Sequence, residues 1–334
     1  MKIVHRFYDL FIGGAEVVVL NTVKALREHQ HILLFSRSNR NWISDELSKL
    51  KNAVLVQLEP GTEVRTICSH NADLHCFHYY PPMDEADFRD LPPRVLNTSL
   101  LVNHWYKDVP AVPGLRYLFL SEESRVRTGA SIPSKFSRVL LNPVADKFFT
   151  IRREEVPCSV GRHSRDALFK FPTDFFDVTE AIKPGQLDVM VLGAPAAIQQ
   201  FVASNLSQLK NNYWLLPFGS LSVPAFLRRP QIYLYQTRND FAETCPMNIL
   251  EAMAAGIPVV AERKGGIASL IESGQTGFLC ESQPDYIEAC LRLLDDQSLR
   301  RQISVAAQQS VRERASMAGF ENRYLRCIEE LFSS

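Results

Sequence analysis

The sequence has no excess of charge of either sign. Thirty-seven lysines and arginines balance thirty-seven aspartates and glutamates across 334 residues, so the electrostatic footprint of a dedicated nucleic-acid binder is missing and any charged ligand must be met locally. Framework cysteines are missing too. The seven present (68, 76, 158, 245, 280, 290 and 327) are odd in number and irregular in spacing. In a chain long enough to bury a core, this points to reduced thiols and a cytoplasmic setting. No apolar run approaches the roughly 18 residues of a membrane span. The opening "MKIVHRFYDLF" interrupts any signal-like stretch with His5, Arg6, Tyr8 and Asp9, so no secretory leader and no membrane crossing are expected. Fifteen glycines and nineteen prolines are too few for extended disorder.

Several chemical signatures are also lacking. No G-x-G-x-x-G follows the first apolar run, which argues against an NAD dehydrogenase. No G-x-x-x-x-G-K-[ST] precedes "DEAD" at 84–87, so that tetrapeptide does not mark a helicase. The segment "CSHNADLHCFH" gathers Cys68, His70, His75, Cys76 and His78. Strand alternation separates His75 from Cys76 and His78, and the intervals do not fit a zinc knuckle, so no metal is expected.

What is present is a pattern of short apolar runs alternating with longer amphipathic ones, over about twice a common domain length of roughly 150 residues. This predicts an α/β chain with two doubly wound parallel sheets. Strands are expected at 2–7, 31–35, 53–58, 73–78, 100–103, 116–120 and 138–141, then at 158–160, 188–192, 214–216, 232–235 and 258–261. The polar, proline-interrupted stretch 141–157 reads as a linker. The expected division is 1–148 and 149–316, with a final helix at 317–334 packing back on the first domain. In open parallel sheets the ligand site lies past the carboxyl ends of the strands, so candidate residues belong in loops that follow strands, facing a central cleft.

One such loop carries "ETCPMNILEAMAAGIPVV" at 243–260. The interval from Glu243 to Glu251 is uninformative by itself, because Glu313, Glu321 and Glu329 repeat it in a plainly helical stretch. Context adds more. Pro246 suits a first helical turn with Thr244 or Cys245 as the cap, Gly256 ends the helix, and Pro258 blocks its continuation. The amides of Met247, Asn248 and Ile249 would then lie free at the positive end of the helix dipole, an anion site suited to phosphate. Carboxylates on either side could accept hydrogen bonds from hydroxyls attached to that phosphate, the layout of a nucleotide diphosphate sugar. An ordinary helix beside an exposed loop acid fits the same spacing.

The longer stretch "ETCPMNILEAMAAGIPVVAERKGGIASLIESGQTGFL" resembles the E-x7-E donor-binding segment of the retaining GT-B glycosyltransferases of family 4. The likeness extends to "GGAEVVVLN" at 13–21, "LNPVADKF" at 141–148 and "VGRHSRDALFKFP" at 160–172. The resemblance implies a GT-B fold and transfer of a hexose, with retention, from a UDP- or GDP-linked donor to a carbohydrate or glycolipid acceptor in polysaccharide or glycan assembly. No Asp-x-Asp pair of the metal-dependent sugar transferases is present, so a metal-independent, cofactor-free mechanism is implied.

Carried over residue by residue, Glu243 holds the transferred sugar, Glu251 the donor ribose, and the backbone of Pro246, Met247, Asn248 and Ile249 the diphosphate. Arg162 and Lys170 match the basic pair that clamps the diphosphate. Their spacing is wider than is common in the family, and Arg165 lies between them, so either Arg165 or Lys170 supplies the second cation. Gly13 and Gly14 match a turn whose amides approach phosphate, with Gly14 the expected contact. Pro217 and Phe218 in "LLPFGS" fall where the base edge is met. His104 in "LLVNHWY" is the candidate for orienting the acceptor or donor sugar. The rival readings are a sugar phosphorylase or nucleotide-sugar epimerase on the same fold, and a non-catalytic sugar-nucleotide-binding module. Arg37, Arg40, Lys49 and Lys51 beside Trp42 form a modest basic stretch for peripheral contact with the inner face of a membrane, although a solvated helix face accounts for the same residues.

Overall fold

The computed structural model describes residues 1–10, 14–38, 41–79, 83–172 and 174–333. Gly13 and Arg40 lie outside the described residues. The chain divides into two compact units, Met1–Pro143 with Met317–Ser334, and Val144–Ser316.

The first unit alternates strands and helices: β1 (Lys2–Leu10), α1 (Gly14–Ala25), β2 (Gln30–Ser38), α2 (Trp42–Ser48), β3 (Ala53–Gln57), α3 (Glu63–Ser69), β4 (Leu74–Tyr79), α4 (Pro93–Leu96), β5 (Ser99–Asn103), β6 (Arg116–Phe119), α5 (Glu122–Thr128) and β7 (Ser137–Val139). All seven strands are parallel, in the order β3-β2-β1-β4-β5-β6-β7. β4 and β5 are buried at every position. That is the expected signature of central parallel strands covered on both faces, and it explains why they read as near-continuous apolar runs.

The second unit contains β8 (Ser159–His163), α6 (Phe175–Ala181), β9 (Asp188–Leu192), α7 (Ala196–Ser204), β10 (Asn212–Leu216), α8 (Val223–Leu227), β11 (Ile232–Tyr235), α9 (Met247–Ala254), β12 (Val259–Glu262), β13 (Phe278–Cys280), α10 (Gln283–Asp295) and α11 (Gln297–Ala315). Its six parallel strands run β10-β9-β8-β11-β12-β13. Its core joins Val160, Val189 and Val191 of the sheet to Phe171, Phe175, Cys290 and Ile303. α10 starts at a reciprocal cap between Ser282 and Asp285 with proline in its first turn, and Asp296 caps α11 by accepting the amide of Leu299 at 2.9 Å.

Two expectations differ from the structure. β13 lacks a predicted counterpart, since three residues at a sheet edge are too short to give a periodic signal. The division falls between Pro143 and Val144, five residues before the expected 148/149. Asn21 of α1 donates to the Pro143 carbonyl, whereas the Val144 amide donates to Ala315. The hydrogen bonding therefore changes partner within one peptide unit. The last helix, α12 (Met317–Phe332), groups with the first unit. There the Tyr324 hydroxyl lies 3.2 Å from the Cys76 thiol, and Arg116 donates to the Leu331 carbonyl at 2.8 Å.

In each sheet the crossovers run outward in opposite directions from one strand pair: β1 and β4 in the first, β8 and β11 in the second. These are the topological switch points, where the departing loops separate and leave room for a ligand.

Candidate functional site

The switch point of the second sheet gathers most of the candidate residues. β8 ends on Arg162 and His163, and β11 ends on Tyr235, after which Glu243 hangs in the loop before α9. Glu243 is nearly enclosed, with its side chain 12 % exposed. Lys170 Nζ donates to its Oε1 at 2.5 Å, and the Tyr235 hydroxyl donates to the same atom at 2.6 Å. Burial pushes the carboxyl toward its neutral form. The charge and hydrogen bond of Lys170, the Tyr235 hydroxyl and the nearby Arg165 outweigh it, leaving the pKa below the ordinary value. Both donors use Oε1, so among the described residues Oε2 is the oxygen left for a ligand hydroxyl.

Three glycines shape the loops around this cluster. Gly266 donates to the Glu243 carbonyl at 2.8 Å, and a Cβ on Gly265 (φ +55°) would lie 2.6 Å from that oxygen. After β9, Gly193 (φ +84°) lets the Ser164 carbonyl approach to 1.9 Å of where a Cβ would stand. The loops after β8 and β9 can therefore touch at the sheet edge.

Glu251 sits in α9 and is buried. It is already partnered: His163 Nε2 lies 2.9 Å from its Oε2. The carboxylate can only accept, so Nε2 carries the proton; the Tyr233 hydroxyl donates to the His163 carbonyl at 3.1 Å and also lies 3.1 Å from Nδ1. Asn248 anchors the same corner by donating to the His163 carbonyl at 2.9 Å.

Three expectations change here. Arg162 is not open to a ligand. It is 1 % exposed, its Nη1 donates to the Gln236 carbonyl at 3.1 Å and its Nη2 to the Lys170 carbonyl at 2.5 Å, and its guanidinium lies 4.1 Å from the centre of the Phe171 ring. Burial lowers its pKa. Its work is to pin the backbone that carries Lys170. Second, Pro246 itself is the cap of α9, in place of Thr244 or Cys245, because its extended backbone (φ −67°, ψ 115°) turns the chain into the helix. Third, the Ile249 amide is engaged within the first turn by the Asn248 side chain at 3.0 Å and the Pro246 carbonyl at 3.2 Å. Met247 and Asn248, the first two residues of α9, have amides with no carbonyl four residues back inside the helix.

Arg165 is exposed, yet its charge reaches Glu243. Pro217 and Phe218 follow β10 and are exposed. Neither is bonded to the Glu243 cluster. Gly14 opens α1 in the first unit, with open space where a Cβ would stand. His104 also belongs to the first unit, where its Nε2 lies 2.8 Å from His78 Nδ1. Trp42 is about half exposed, at 48 %. Among the described residues, no group of three or more His, Cys, Asp or Glu side chains could hold a metal ion, and no helix is long and apolar enough to cross a membrane.

Sequence reasoning passed over His163, Tyr233, Tyr235 and the buried Glu262. The last accepts from Thr237 Oγ1 at 2.5 Å and pairs with Lys264 at 2.8 Å, while burial raises its pKa. A signal existed in "IYLYQ": two tyrosines two residues apart at the carboxyl end of a buried strand place hydroxyls on one face, beside the switch point.

Two parallel doubly wound sheets with these polar clusters at their switch points define a GT-B protein. Residues 200–310 match the family model "Glycosyl transferases group 1". The N-acetyl-alpha-D-glucosaminyl L-malate synthase of Bacillus anthracis is 38 % identical over 73 residues, covering 21 % of this chain and 19 % of that protein. The human alpha-1,3/1,6-mannosyltransferase ALG2 is 32 % identical over 99 residues, covering 29 % and 23 %. The matched stretch thus spans about a fifth of the length of these relatives. Among solved structures, Anabaena Alr3699/HepE in complex with UDP and glucose superposes with a TM-score of 0.74 at 14 % identity, over 99 % of this chain and 100 % of that one. WaaG, a glycosyltransferase involved in lipopolysaccharide biosynthesis, gives 0.67 at 13 % identity over 98 % and 99 %. Residues 200–310 thus carry the group 1 glycosyl transferase match, and the fold over the whole chain is that of the GT-B glycosyltransferases.

Proposed function

We propose that the chain transfers a hexose, with retention at the anomeric carbon and without a metal, from a nucleotide diphosphate sugar to an acceptor hydroxyl. The observation that carries this reading is the cluster at the β8/β11 switch point. A carboxylate with one oxygen unused among the described residues (Glu243), a cation bonded to it (Lys170) and a second carboxylate in the helix that begins between the two acids (Glu251) lie on the segments that follow β8 and β11.

In this reading Glu243 Oε2 accepts hydroxyls of the transferred sugar and so positions the donor rather than attacking it. The diphosphate takes Lys170, Arg165 and the amides of Met247 and Asn248. Positive charge there stabilises the negative charge that grows on the leaving nucleotide. Glu251 Oε1 takes a ribose hydroxyl while Oε2 stays with His163. Arg162 contributes by positioning. Pro217 and Phe218 border the base; of the first unit's residues, Gly14 is the candidate phosphate contact and His104 the candidate for orienting a sugar hydroxyl. A UDP donor is favoured by the UDP and glucose complexes of HepE, and a polysaccharide or lipid-linked acceptor by the involvement of WaaG in lipopolysaccharide biosynthesis. A cytoplasmic enzyme, with contact to the inner membrane face where the acceptor is a lipid, fits this use.

The test is a thermal-shift screen against UDP, GDP, ADP and CMP, followed by turnover of the matching sugar nucleotides with and without sugar acceptors. A ligand bound only by the folded state raises the melting temperature. Nucleotide release that depends on an added acceptor, with an α-linked product from an α-linked donor, is the expected result. Epimerised donor, or phosphate in the acceptor's place, would overturn transfer.

A further inference from the structure

The proposed reaction uses His104 but not the three histidines behind it. His31 on β2, His5 on β1, His78 on β4 and His104 just past β5 stand in one row. His31 Nδ1 lies 2.9 Å from His5 Nε2, His5 Nδ1 lies 3.1 Å from His78 Nε2, and His78 Nδ1 lies 2.8 Å from His104 Nε2. Strand register produces the row. His31 pairs with Ile3, two residues before His5; His5 pairs with Cys76, two before His78; His78 pairs with Val102, two before His104. A step of two keeps every ring on the same face of the sheet. The row therefore climbs diagonally across the switch point to the carboxyl edge.

His5, His31 and His78 are buried and His104 is half-buried. Burial holds all four below the ordinary imidazole value, so at neutral pH each ring carries a single proton. A neutral imidazole offers one donor and one acceptor. At the inner end, His31 Nε2 lies 3.1 Å from the Leu26 carbonyl, which can only accept. The proton of His31 is therefore on Nε2, its Nδ1 accepts from His5 Nε2, and the same polarity passes to His78 and to His104. Reversing the row would set a ring lone pair against the carbonyl lone pairs of Leu26.

We infer that the Leu26 carbonyl and the row His31–His5–His78 lock His104 in its Nε2–H tautomer, so that Nδ1 is always presented as an acceptor for an O–H donor. His5, His31 and His78 are positioning residues. The row is not a proton conduit. A proton taken at His104 could be relayed as far as His31, but Leu26 cannot carry it onward, and the positive charge of the N-terminal amine opposes its staying there. Only the identity of the donor, a sugar hydroxyl, rests on the glycosyl-transfer reading.

The experiment needs no substrate. Nitrogen-15 NMR of the imidazole rings at pH 7.5 is expected to show all four histidines protonated on Nε2 and bare on Nδ1, with scalar coupling across each of the three N–H···N bonds. His31→Phe removes the acceptor of His5 and should let His104 exchange between tautomers, its bare-Nδ1 population dropping from nearly all to roughly half. His75→Phe, outside the row and bonded to Thr98, should leave His104 unchanged. A proton on Nδ1 of His104 in the native protein, absent couplings, or indifference to His31→Phe would overturn the inference. If His31→Phe does not fold, the native spectrum alone decides the direction. Failure of the transfer assay would leave this result standing, and the reverse also holds.

Discussion

The two sheets share one topology and furnish their switch points with opposite chemistry. Between β1 and β4 lies a row of uncharged histidines that satisfy one another. Between β8 and β11 lie groups that carry charge, Lys170 on Glu243 and a buried Arg162 on two carbonyls, beside the hydrogen bond of His163 to Glu251. A buried polar group is tolerated when it is fully hydrogen-bonded, and a buried charge only when it is also paired. The first sheet meets the milder condition; in the second, Lys170 and Glu243 meet the stricter one, while Arg162 rests on two carbonyls and aromatic rings with its Nε unpartnered among the described residues. Each unit is vulnerable in its own way: the first to gaining a proton, the second to losing a partner.

Acid should separate the two units most strongly. His31 and His75 have pKa values lowered to about 4 from the ordinary 6.5, chiefly by burial, and His5 and His78 lie well below it for the same reason. The unfolded chain therefore binds more protons than the folded one between pH 6.5 and 4, and stability falls as pH falls through that window. Each histidine lowered by about 2.5 units removes roughly 3 kcal/mol by pH 4. Glu243, whose folded pKa is depressed, contributes stability above its unfolded value near 4.5, which is lost only at lower pH. Hydrogen exchange at pH 7 and pH 5, corrected for intrinsic rates, should show β1, β2 and β4 losing protection while β8 and β11 keep theirs. Equal losses in both units would erase the distinction.

Removing a partner in the second unit comes next. Glu243→Gln and Lys170→Ala are each expected to lower transfer by about 10³-fold, the scale of losing a preorganised electrostatic contact at the reacting centre, with circular dichroism unchanged. Full activity in either variant would remove that residue from the site.

Arg162→Met should act differently, because the side chain faces carbonyls and aromatic rings. Two buried acceptors would lose their donor, costing roughly 3 kcal/mol. The expected signature is a lower melting temperature together with lower activity, since the Lys170 backbone is released. Lost activity at full stability would instead put Arg162 in contact with the donor.

The strands were legible in the sequence because parallel strands buried on both faces leave unmistakable apolar runs, as in "LHCFHY" and "IYLY". Edge strand β13 left no such trace. The two carboxylates and Lys170 could be singled out through the family resemblance, but the state of each could not. Whether an arginine at the end of a strand faces solvent or carbonyls depends on the packing of Phe171 and Phe175 around it, which no local pattern encodes. The histidine row was less accessible still. Its members lie at 5, 31, 78 and 104, and only the parallel register brings them to one diagonal.

The smallest expected effect tests whether charge pairing alone sets the second site. Tyr235→Phe removes a single hydroxyl that donates to Glu243 Oε1 at 2.6 Å and leaves Lys170 in place. The ring stays stacked on Tyr233, 6.3 Å between centroids, and 5.0 Å from the Arg162 guanidinium, so the loss is confined to one hydrogen bond to a charged group, about 1.5 kcal/mol. Turnover should fall about tenfold with no change in affinity for UDP alone, because the sugar end of the donor is the part Glu243 is proposed to hold. The hydroxyl favours the ionised carboxylate, so its loss raises the Glu243 pKa. The acid limb of the rate profile then moves to higher pH in the variant. A limb that stays put would mean that Lys170 alone keeps Glu243 ionised and that Tyr235 serves only to pack.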